Sequence, residues 1–124
     1  MQPLALKRHA RVLLALDGRS LDRELLTRLP RCCMKLSPRL DILLVNPPRE
    51  ATSCLAMLLL RLEHGGVDYH IASALGAVGE EILHYLTRHR GISAVVLADP
   101  AHLDTESKAL IELKGQQILF LSEC

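Results

Sequence analysis

Five short apolar runs, the first four each followed by a stretch of helical periodicity, constrain this chain more than any other feature. The first run is the most telling. In RVLLALDGRS, residues 11–20, the positions Val12, Leu13, Leu14, Ala15 and Leu16 show no alternation of apolar and polar side chains. A strand with one wet face alternates with period two. This run therefore reads as a strand buried on both faces, at the centre of a parallel sheet. It stops at the turn pair Asp17 and Gly18, and Ser20 is placed to cap the following helix. In open parallel sheets ligands sit just beyond the carboxyl ends of central strands, so the segment from Asp17 to Ser20 is the first place to look for function.

The pattern then repeats. Residues 20–35 read as a helix, with Leu21, Leu25, Leu29 and Cys32 or Cys33 at spacings of three and four. Pro30 interrupts it, so that either the helix kinks there or a second short turn begins with proline at its first position. DILLVN, residues 41–46, is the second buried strand. Residues 49–64 are the second helix, with Leu55, Leu58, Leu59 and Leu62 inward and Gly65 supplying a left-handed stop. Residues 67–74 alternate in part, as a half-exposed edge strand does. After Gly79 comes a helix over residues 80–90, with Val78, Ile82, Tyr85 or Leu86, and His89 on its inner stripe. ISAVVLA, residues 92–98, is a fourth buried strand ending at Asp99 and Pro100. Asp104 or Thr105 then caps a helix running to Lys114, with Leu110 and Leu113 inward, and residues 116–122 form the last strand. Every connection is long enough to hold a helix. Right-handed crossovers then give a parallel sheet with helices on both faces, in one domain spanning residues 11–124 behind a lead-in of residues 1–10. These patterns alone leave the strand order open.

Composition narrows the function classes. Hydrophobic residues make up 49% of the 124-residue chain, enough for a real core, while aromatics are only 2%, which removes the stacking platform of single-strand nucleic-acid binders. A net charge of +1 with no long basic run argues against a nucleic-acid footprint. No apolar stretch approaches the roughly 18 residues that cross a bilayer, and the charges of MQPLALKRHA follow its apolar piece, the reverse of a signal peptide. A cytoplasmic protein is expected. None of the cysteines (Cys32, Cys33, Cys54, Cys124) forms a CxxC pair. They read as cytosolic thiols, with Cys54 and one of the vicinal pair buried; a thiol sensor at Cys32 and Cys33 would need a partner thiol.

Catalytic patterns are missing. The six histidines form no HxH, HExxH or Cys/His zinc spacing, and no G-x-S-x-G occurs. The cluster of Gly76 and Gly79 lacks the Lys and Ser/Thr of a phosphate-binding loop and reads as a strand-to-helix turn. A phosphoacceptor domain would want a second acid at strand one and a lysine after strand five; Glu123 stands there instead. Asp17 and Asp99 end neighbouring runs and would suit water-bridged Mg²⁺ if they faced one cleft, but two solvated loop acids is the plainer reading. No metal site and no catalytic residue is expected.

Several pieces together resemble the universal stress protein family. VLLALDGRS is similar to that family's VAVDGS opening, and DILLVN to its leucine-rich second strand. ALGAVGEEILHYLTRHRGISAVVLAD is similar to its G-x-x-x-x-x-I-x-x-x-A stretch followed by DLIVMG. The resemblance covers residues 11–122. It implies a three-layer sandwich of the adenine nucleotide alpha hydrolase-like kind, a strand order of 3-2-1-4-5, and a homodimer paired through the last strand, here Gln117, Ile118, Leu119, Phe120, Leu121 and Ser122. In the nucleotide-binding branch it implies ATP or AMP at the carboxyl ends of strands one, two and four, which here means Asp17, Gly18, Val45, Asn46, Ala98 and Asp99. That branch carries a Gly-x-x-Gly after strand four, where backbone amides approach phosphates. This chain has no glycine between Gly91 and Gly115, and Asp99, Asp104 and Glu106 put negative charge there. The closer match is the universal-stress-protein-A-like branch, without bound nucleotide: a non-catalytic, homodimeric stress-response or regulatory module.

Overall fold

A computed structural model describes residues 11–36, 39–49 and 51–121, apart from the side chains of Met34, Leu36, Ala51, Thr52 and Cys54. The lead-in, Ser122 and Cys124 lie outside the described residues. The strands are β1 (Arg11–Asp17), β2 (Arg39–Val45), β3 (Asp68–Ala74), β4 (Ile92–Leu97) and β5 (Gln117–Phe120). The helices are α1 (Arg23–Leu36), α2 (Ala51–His64), α3 (Val78–Arg88) and α4 (Thr105–Leu113). All strands pair in parallel, in the order β3-β2-β1-β4-β5.

The sheet divides the core by residue parity, because successive side chains point to opposite faces. Val12, Leu14 and Leu16 of β1 join Ile42, Leu44 and Val96 on one face, against Leu29 of α1 and Leu55, Leu58 and Leu62 of α2. Leu13, Ala15, Leu43, Val45 and Val95 form the other face, against Val78, Ile82 and Tyr85 of α3 and Ile111 of α4. This is a three-layer α/β sandwich. β1 and β4 are covered on both faces, as their unbroken apolar runs require, whereas Ile71 of edge strand β3 is 39% exposed.

Several local expectations need correction. Ser20 does not cap α1. Asp17 accepts a hydrogen bond from Arg19 N and closes a separate 3₁₀ turn, Gly18–Ser20. The helix begins later, capped by Asp22, whose Oδ1 accepts from Leu25 N at 2.8 Å. Pro30 does not start a new turn: it lies buried inside one continuous α1. Both Cys32 and Cys33 are buried, not one of the pair. Leu110 and Leu113 were expected inward on α4 but are exposed, by 43% and 82%. Ser107 and Ile111 face inward instead. The rotation is fixed at the helix start, where Asp104 Oδ2 accepts from Ser107 N at 3.0 Å. There Ser107 also lies against Gly79, so closely that a Cβ on that glycine would meet the Ser107 side chain.

Candidate functional site

The strand order changes direction between β1 and β4, and the crevice beyond their carboxyl ends is the place where such sheets hold ligands. A shallow cleft of about 360 Å³ lies there. Ser20 and Asp22 line it before α1, and Glu24, Leu25 and Arg28 line it from α1 itself. Ala98, Asp99 and His102 close it from the β4 side. Of the residues expected at a site, Ala98 and Asp99 line this cleft, and Asp17 lies close enough for its carboxylate to feel the charge of His102.

The polar side chains expected to bind a ligand, Asp17, Asn46 and Asp99, each already have a protein partner. Asp17 is 8% exposed and grips Arg19 three times. Its Oδ1 accepts from Arg19 N at 3.0 Å and Nε at 3.2 Å, and its Oδ2 accepts from Nη2 at 3.3 Å. Burial works against the charged form of Asp17, but the hydrogen bonds and positive charge of Arg19 prevail and hold its pKa below the usual carboxylate value. Gly18 is the turn's necessary residue, because a Cβ there would run into the Asn46 carbonyl and Pro47 Cα. The ends of β1 and β2 are thus packed backbone on backbone.

Val45 is fully buried. Asn46 adopts a left-handed conformation with φ of 55°. Its N–H donates to Ala74 O at 2.7 Å, its Nδ2 donates to Gly76 O at 2.8 Å, and its Oδ1 accepts from Gly76 N at 3.0 Å. Asn46 therefore clamps the loop after β3. At this position, which the resemblance gives to a nucleotide, both the backbone N–H and the side-chain amide are engaged within the protein.

The loop from β4 to α4 is likewise closed on itself. Asp99 Oδ1 accepts from Ala101 N at 2.9 Å, and Asp99 O accepts from His102 N at 3.0 Å. Leu103 N donates to Pro100 O at 3.2 Å, and Asp104 takes Ser107 N. Hydrogen bonds to Ser107 hold the Asp104 pKa below its usual value. Both carboxylates thus cap backbone amides at this end of the sheet.

The expected dimer strand is a sheet edge. Gln117 is exposed and Ile118 and Phe120 are half-buried, but Leu119 and Leu121 face the core. The Leu121 carbonyl also accepts from Arg28 Nη2 at 3.4 Å.

A charged network escaped the sequence reading. Asp41 of β2 is 1% exposed. Its Oδ2 accepts from Tyr85 Oη of α3, and Arg11 Nε lies 3.3 Å from its Oδ1 as an ion pair without hydrogen-bond alignment. The signal was an acid opening an otherwise apolar run. His102, Asp22, Glu24 and Arg28 were missed in the cleft because only the tertiary fold gathers them. Among the described residues no group of three metal-ligating side chains comes together, and no helix is long and apolar enough to cross a membrane.

Compared with known proteins, the chain matches no family model, no curated protein and no solved structure.

Proposed function

We propose that this chain is a non-catalytic α/β module of the universal-stress-protein-A-like kind, a cytoplasmic regulatory protein that pairs with a second copy through the β5 edge. The closure of the β4–α4 loop carries this reading. Its amides at Ala101 and His102 are bonded within the loop, and its carboxylates at Asp99 and Asp104 are taken by Ala101 N and by Ser107 N in the first turn of α4. A polyphosphate would have to displace those carboxylates and sit among Asp22, Glu24 and Asp99, and like charges in a partly desolvated cleft repel. Leu110 and Leu113 support the pairing. They leave apolar surface on α4, the helix packed beside β5, and a sheet edge invites another strand.

Two measurements test this. Titration calorimetry with ATP and Mg²⁺ is expected to show no saturable heat; a Kd below about 100 μM would establish the competing reading, adenine-nucleotide binding at the β1–β4 crevice. Light scattering at micromolar concentration is expected to give a dimer, and Leu113→Asp, on a side chain 82% exposed, is expected to shift it toward monomer. A monomeric wild type would overturn the pairing.

A further inference from the structure

The chain is nearly neutral overall, but its charge is not evenly spread. Between Leu25 and Arg39 there are four cations (Arg28, Arg31, Lys35, Arg39) and no acid. Where α1 packs on α2, two of these, Arg28 and Arg31, meet the last turn of α2. The result is a cleft of about 750 Å³ lined by Arg28, Arg31, Arg61 and His64 with no carboxylate in its wall. Among the described residues, Arg31, Arg61 and His64 take part in no ion pair. Arg28 reaches across to the Leu121 carbonyl, which leaves the other three as the unpaired set.

A bland role for Arg61 and His64 would be to cap the carbonyls at the end of α2. Three of those carbonyls are already satisfied. Arg61 O accepts from Gly65 N, Leu62 O from Val67 N and Glu63 O from Gly66 N, at 3.0, 2.9 and 3.1 Å. Nor does a helix end account for Arg31, which enters the same cleft from the other helix. Residues one turn apart share a helix face, so Arg61 and His64 present together toward α1. Pro30 and Leu60 supply an apolar wall beside them.

We propose that the α1–α2 cleft binds a soluble phosphate monoester. Arg31, Arg61 and His64 surround the phosphoryl group, and the Pro30–Leu60 wall meets the organic part. A dianion answers the two guanidinium groups of Arg31 and Arg61 better than one carboxylate does, because it relieves their mutual repulsion and offers enough oxygens for two guanidinium forks, with the His64 ring as a further hydrogen-bonding group. The site is concave, which suits a small molecule rather than a flat membrane surface. It lies on the α1–α2 layer and shares Arg28 with the wall of the β1–β4 crevice, but its proposed ligand groups Arg31, Arg61 and His64 line only the α1–α2 side of the two.

The test uses the full chain, phenyl phosphate as probe, and backbone amide shifts by NMR. Saturable shifts confined to residues 27–32 and 60–65 are expected. Arg31→Gln or Arg61→Gln should each weaken binding about tenfold or more, as loss of one charged hydrogen-bond donor implies. Arg31→Lys should retain part of it, and Arg88→Gln, on an exposed α3 arginine, should leave it unchanged. Shifts that do not saturate, that spread over the surface, or that Arg88→Gln weakens equally would overturn the proposal. So would sedimentation with vesicles of phosphatidylcholine and phosphatidic acid in the absence of phenyl phosphate binding, since the phosphate would then be a lipid's.

Discussion

Tyr85 of α3 donates its hydroxyl to the buried carboxylate of Asp41, one strand in from the β3 edge. The bond ties the α3 layer to the sheet at a polar point within an apolar interface. A buried carboxylate that loses a donor keeps its desolvation cost, so Tyr85→Phe is expected to destabilise the fold by about 1.5–3 kcal/mol. Urea unfolding measures this. Combining it with Asp41→Ala should cost less than the sum of the two single changes, since either change alone already removes the shared bond. Strict additivity would show that the bond contributes nothing.

The same bond sets an alkaline limit. Burial and then the hydrogen bond to Asp41 raise the Tyr85 pKa well above its ordinary 10.0. A group whose folded-state pKa is raised contributes stability that is complete below its unfolded value and is lost as pH rises toward the folded one. Wild-type stability should therefore fall as pH passes 10. Tyr69, bonded to Glu63 at 2.6 Å, shifts in the same direction and gives a background fall. Tyr85→Phe should keep only that background, and chemical unfolding between neutral and strongly alkaline pH reads the difference.

Asn46 holds a left-handed backbone and clamps Gly76 with both ends of its amide. Asn46→Ala loses two hydrogen bonds and keeps the strained φ, for an expected cost of roughly 2–3 kcal/mol. Asn46→Gly relieves the strain and should cost less. In both, amide exchange at residues 75–77 should accelerate before exchange in β1 does, because local opening of the loop precedes global unfolding.

The fold was legible because its signals are local and repeated. Unbroken apolar runs in β1, β2 and β4 announce strands covered on both faces, and those strands lie inside the sheet. The partial alternation of residues 67–74 announced an edge, and β3 is one. What could not be read was rotation and convergence. On α4, Leu110, Ile111 and Leu113 are equally apolar, and only the packing of Ser107 on Gly79 selects which of them turns inward. The start of α1 moved because Asp17 closes its own 3₁₀ turn through Ser20 and leaves capping to Asp22, a choice between Ser20 and Asp22 that propensity does not rank. At the candidate site, Asp17 and Asp99 were findable as acids at strand ends. That Arg19 neutralises Asp17, and that Asp41 finds Tyr85 across 44 residues, depends on tertiary approach.

The Asp17–Arg19 fork makes a prediction at acid pH. Burial opposes the charge on Asp17, yet the bonds from Arg19 hold its pKa below 3.8. A group whose folded-state pKa is lowered contributes stability that is complete above its unfolded value and is lost as pH falls through the folded one. The wild type should thus lose this contribution only below pH 3.8. Arg19→Met removes the side-chain donors while leaving the backbone bond to Asp17 Oδ1, so the burial penalty is less well opposed and the Asp17 pKa should rise. Carboxyl carbon NMR titration follows that residue directly. Asp104, shifted the same way by Ser107, remains in both proteins, so the difference between their acid unfolding curves isolates Asp17. An unchanged Asp17 titration in Arg19→Met would mean that the turn's backbone alone holds the charge.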